Sequence, residues 1–80
     1  MTRIVRRPVQ ATVDADGSLQ WFRDGEVTHR VVNVIGRWSE MGAWWRGEGT
    51  RQVQRVLDED GGVFDVECAK TEWWLYRVWD

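Results

Sequence analysis

This 80-residue chain has one cysteine, one histidine and one lysine, and each shortage removes a class of explanation. Cys68 alone forms no internal disulfide, and with His29 it makes no Cys/His cluster of zinc-site spacing. There is no Gly-Lys-Ser phosphate loop, paired-His metal motif or nucleophile elbow. His29 and Cys68 are therefore read as structural and the chain as non-enzymatic, with no metal or cofactor expected. A carboxylate pair assembled by folding is the catalytic route that spacing leaves open. Long apolar runs are also missing: the aliphatic stretches are as short as Val31-Val32, and the first eight residues carry no signal-peptide core. No membrane span or anchor is expected, and a reducing cytoplasm fits the single thiol.

Two acidic clusters invite a metal reading and do not support it. Asp14-x-Asp16-x-Ser18 has the alternate oxygens of a calcium loop, but Leu19 stands where such a loop needs glycine and Gly25 where it needs glutamate. Asp58-Glu59-Asp60 runs into Gly61-Gly62, which makes it a solvated hairpin tip.

Tryptophan is what the chain has in abundance, with seven residues that include the doublets Trp44-Trp45 and Trp73-Trp74. A chain this short buries only roughly 60–65% of its unfolded surface, so large rings must either build the core or present a stacking surface. The net charge of −2 hides a gradient. Residues 1–55 hold nine arginines against six acids, and residues 56–80 hold two bases against seven acids. Ten of the eleven bases are arginine, which adds planar bidentate recognition and ring stacking to its charge. A solvated surface with cross-strand ion pairs is the plainer account of these arginines, and a phosphate-facing stripe the sharper one.

Gly-centred turns fall every eight to twelve residues with no long helical period or repeat, a spacing that predicts one all-β domain over residues 1–80. Val5, Val9, Ala11 and Val13 share a parity opposite to Arg6, Gln10 and Thr12, as in a half-buried strand. Leu19 to Arg23 follows, then an Asp24-Gly25 hairpin turn of type I′. The strand Val27 to Trp38 carries apolar residues on both parities, so it is central, covered on both faces, or bulged near Gly36. Ser39 to Gly42 reads as a helical turn or tight loop and Ala43 to Arg46 as a short strand. Thr50 to Leu57 and Val63 to Cys68 form a hairpin with Phe64, Val66 and Cys68 inward, and Glu72 to Asp80 closes the chain. The expectation is a small curled antiparallel sheet or partly open SH3-like barrel of five to seven short strands. An α+β arrangement is the alternative if residues 38–43 form a longer helix.

On the last strand Trp73, Leu75 and Trp79 take one parity and Trp74, Tyr76 and Val78 the other, more than one small core can bury. Trp38, Trp74 and Trp79 are assigned to the core, while Trp44, Trp45 and Trp73 divide between core and surface. Arginine interleaved with rings, as in Arg37-Trp38, Trp44-Trp45-Arg46 and Tyr76-Arg77, suits a single-stranded nucleic-acid platform, and it equally suits internal cation–π pairs.

The chain resembles an uncharacterised family of small bacterial domains. The resemblance rests on Arg7-Pro8-Val9, Val31-Val32 leading to Arg37-Trp38, Trp44-Trp45 followed by glycine, and the closing Tyr76-Arg77-Val78-Trp79-Asp80, so it spans essentially the whole chain. Members look like companions of ImuB-type Y-family polymerases, the non-catalytic relatives that organise error-prone synthesis after DNA damage. The resemblance implies an accessory in DNA damage tolerance. Together with the residues it favours a protein partner, an ImuB-type polymerase being a candidate, bound through Trp44, Trp45, Arg46, Arg37, Trp73 and Tyr76. Truncating an anchor there should cost about 2 kcal/mol or more. Single-stranded DNA on Arg6, Arg7, Arg37, Arg46, Arg51 and Arg55 with Trp44 and Trp45 is the alternative, and a homodimer through an uncovered strand or Trp-Trp face is a third.

Overall fold

The computed structural model describes residues 2–41 and 49–79. Its six strands are β1 (Thr2–Val13), β2 (Leu19–Asp24), β3 (Val27–Met41), β4 (Thr50–Asp58), β5 (Val63–Ala69) and β6 (Glu72–Trp79). Each pairs antiparallel with the next, and β1 pairs with β6 to close the ring. The chain is thus all-β, with no helix among the described residues. The helical turn or tight loop expected at Ser39–Gly42 is not found at Ser39, Glu40 and Met41, which continue β3 opposite Gln52, Arg51 and Thr50. Backbone pairing with β4 outweighs the capping tendency of Ser39. Gly42 and the strand expected at Ala43–Arg46 lie outside the described residues.

The two longest strands change partners part-way, which bends the ring into two sheets. β1 pairs with β6 through Val9 and with β2 from Gln10, and β3 pairs with β2 through Arg30 and with β4 from Val31. A three-stranded sheet of β2 and the adjoining halves of β1 and β3 therefore faces a five-stranded one. Between them Leu19, Phe22, Val56, Phe64, Val66 and Leu75 form the core, with Val5, Val9, Ala11, Val31, Val34, Trp73 and Val78 packed against it. Burying each large apolar side chain is worth roughly 1.5–3 kcal/mol.

Bulges decide which residues face in. On β3 the register slips at Val32 and Ile35, the latter beside Gly36, and both side chains stand in solvent rather than under a second layer. On β6 Leu75 pairs with Val66 and Arg77 with Asp65, so Tyr76 is an extra residue. An extra residue reverses strand parity beyond it. Trp73, Leu75 and Val78 consequently point inward, and Trp74, Arg77 and Trp79 point outward. This corrects the expected grouping of Trp79 with Leu75, and the core assignment of Trp38, Trp74 and Trp79. Val13, past a slip in β1, is likewise exposed.

The β2–β3 turn lies one residue later than expected. Asp24 pairs with Val27, and the loop is Gly25-Glu26 with positive φ (62°) at Gly25 only, the pattern of a type II′ rather than a type I′ turn. The two acidic clusters prove to be one device used twice. In Asp14–Ser18 the Asp14 Oδ1 accepts the N–H groups of Asp16 and Ser18, both at 2.9 Å. In Asp58–Gly62 the Asp58 Oδ1 accepts those of Asp60 at 3.1 Å and Gly62 at 2.7 Å. Gly17 (φ 80°) and Gly61 (φ 87°) sit at the same place, where a left-handed residue ends a three-residue hairpin loop.

Both turns are tied across the barrel. Gln54, buried inside, donates to the Gly17 carbonyl (2.8 Å) and accepts the Leu19 N–H (2.9 Å). The second Asp58 oxygen lies 2.8 Å from His29 Nδ1. His29 stacks on Phe22 and tilts against Phe64, each ring 4.7 Å away, which places it in the packing of the core.

Candidate binding surface

The outward side of the five-stranded sheet carries charge and rings in register. One row across the strands reads Trp38, Val53, Glu67, Trp74, Pro8, and the next reads Gly36, Arg55, Asp65, Arg77, Ile4. Outward residues of a barrel normally meet water, yet Val53 is 1% exposed, Asp65 0% and Glu67 6%. Their neighbours cover them. Arg55 binds Asp65 through two hydrogen bonds of 2.8 and 3.2 Å, and Arg77 approaches the same carboxylate at 3.8 Å.

The guanidinium groups then stack between rings. Arg55 lies 4.4 Å from the Trp79 centroid and 5.1 Å from that of Trp38, and Arg77 lies 5.4 Å from Trp79 and 5.2 Å from Tyr76. Arg6, raised by its positive φ of 46° at a slip in β1, lies 5.3 Å over the same Tyr76. The result is a continuous alternation of Trp38, Arg55, Trp79, Arg77, Tyr76 and Arg6. Such pairs contribute about 0.5–2 kcal/mol each, more as water is excluded.

A second chain of polar contacts borders the ladder. Trp38 Nε1 donates to Glu40 (2.9 Å), while Arg51 spans Glu40 (3.5 Å) and Glu67 (3.3 Å). Burial pushes the Glu67 carboxyl up from its ordinary value, and Arg51 and Arg6 offset this only in part. The hydrogen bond to Asp65 raises Arg55 above its already high value, so its charge is permanent. Beside this network a groove of about 740 Å³ opens between Arg6, Arg51, Glu67, Lys70 and Trp74. Cys68 lies across from Trp73, and burial pushes its thiol up, which keeps it protonated and poorly nucleophilic at neutral pH.

Of the residues expected to form one patch, the described ones, Arg37, Trp73 and Tyr76, do not sit together. Tyr76 is in the ladder, but Trp73 turns inward and its neighbour Trp74 takes the outer position. Arg37 is used elsewhere, donating to the Asp16 carbonyl and to the Ser18 hydroxyl in the first acidic turn. Trp44, Trp45 and Arg46 lie outside the described residues. The expected arginine stripe is also divided, since Arg7 pairs with Asp24 at 2.7 Å and Arg51 and Arg55 hold carboxylates. Reading residues outward from the Asp58–Gly62 hairpin would have found the Arg55–Asp65 pair, because that turn sets the register. The contributions of Trp38 and Trp79 had no such local signal.

No protein-family model, no curated protein and no solved structure matches this chain.

Proposed function

We propose that the chain is a non-enzymatic interaction module that binds a protein partner over the outer face of β4, β5 and β6, as an accessory in bacterial DNA damage tolerance. The observation that supports this most is the ladder of arginines already paired with buried carboxylates and stacked on rings. Tyrosine, tryptophan and arginine dominate interface energies, and side chains held in place beforehand lose little freedom on binding. Because Asp65, Glu67 and Glu40 offset the arginines, the face is poorly suited to extended phosphate contact.

The test takes the resemblance at its word and uses a purified ImuB-type polymerase as partner. Calorimetry should show binding that varies little with salt and weakens about thirtyfold in Trp74→Ala or Tyr76→Ala, the equivalent of about 2 kcal/mol. Absence of binding by the wild type, or unchanged affinity in both folded variants, would refute the proposal.

A further inference from the structure

The outer side of the three-stranded sheet holds an open groove of about 830 Å³ with a different character. Phe22 and His29 pair across β2 and β3 with their side chains in the core, so the alternate residues Trp21, Arg23, Thr28 and Arg30 face out. Trp21 is opposite Arg30 and Arg23 opposite Thr28, with Gln10 of β1 extending that rung. Trp21 is half-buried and lines the groove.

We infer that this groove binds single-stranded nucleic acid, with Trp21 as the stacking platform and Arg30 and Arg23 as the phosphate contacts. Two features of the arginines support this. Arg30 has no side-chain partner among the described residues, and Arg23 commits only its Nε, to the Gly25 carbonyl at 3.0 Å. Among the described residues the one acid lining the groove is Asp14, and its Oδ1 is taken by two backbone N–H groups of its own turn. The charge is thus available here, where on the other sheet it is neutralised.

The remaining lining fits the same ligand. Gln10 and Asn33 supply amides able to meet base edges, and Val32, 57% exposed, supplies apolar surface beside the ring. Base stacking on an aromatic ring tolerates any sequence, so few residues suffice for a non-specific site. An extended peptide cannot add as a strand beside Trp21, because β2 is paired with β1 on one side and with β3 on the other. The inference does not depend on the protein-partner proposal, which uses the other sheet.

The test is anisotropy of a labelled oligothymidylate with the whole chain at two salt concentrations. Wild type should bind at low salt, Trp21→Ala should weaken binding roughly tenfold or more, and Trp21→Phe should keep most of it. Arg30→Gln, an exposed change that leaves the core untouched, should lower the salt slope by about 0.7, the share of one phosphate on a single strand. Trp74→Ala should bind like the wild type. The inference is overturned if the wild type does not bind, if Trp21→Phe and Arg30→Gln both leave binding and slope unchanged while a folded Trp21→Ala binds normally, or if a duplex binds equally well without regard to Trp21.

Discussion

On the outer face of the five-stranded sheet Asp65 and Val53 are as buried as the core itself, whereas on the outer face of the three-stranded sheet Trp21 is bordered by exposed Arg23, Thr28 and Arg30. Both faces combine tryptophan with arginine. What separates them is the acid: β5 supplies buried Asp65 and Glu67 to the first face, and among the described residues the second has only Asp14 of the β1–β2 turn at its groove. Arginine and a ring therefore make a load of internal structure when a carboxylate lies across the strand, and an available surface when one does not. A composition count cannot tell the two apart, because the deciding residue is on a neighbouring strand.

Stability measurements can break this contrast. Arg55→Ala removes the closest partner of a fully buried carboxylate, and urea denaturation should register a loss of about 3 kcal/mol. Arg30→Ala on the other face should stay within about 0.5 kcal/mol of wild type. Equal denaturation midpoints for the two variants would show that the faces do not differ as described. Val53→Ala should follow, losing roughly 2 kcal/mol like a core truncation despite its outward position.

The pH dependence gives the smallest effect. Since burial raises the Glu67 carboxyl in the folded state, the fold holds that proton more tightly than the unfolded chain does. Glu67 therefore favours the fold most below the ordinary carboxylate range, and that contribution is lost as pH rises through its folded-state value. In Glu67→Gln this fall should vanish from a plot of denaturation midpoint against pH. A slope unchanged from wild type would assign it to other carboxylates.

Much of the fold was legible along the chain. The acidic turns mark both three-residue hairpins, and the apolar alternation of β5 correctly placed Phe64 and Val66 in the core. The apolar doubling of β3 left three readings open, a central strand, one covered on both faces or one bulged near Gly36, and the bulge is among what the structure shows. Legibility failed at the other bulges. Tyr76 is an ordinary strand residue by type, yet as an extra residue it sends Trp79 outward and Val78 inward. The likeness of the turns at Asp14 and Asp58 was also present in the sequence, as Asp-x-Asp-Gly, but only their shared hydrogen bonding shows that they are one structure.

What the sequence determined by itself was local: strand tendency, turn position and the all-β class, each set by residues a few places apart. Only the tertiary structure decided which rings face out and which arginines are free. Those outcomes depend on register slips and on carboxylates brought alongside by a different strand, as when Asp65 meets Arg55 and Arg77, while Arg30 meets none among the described residues.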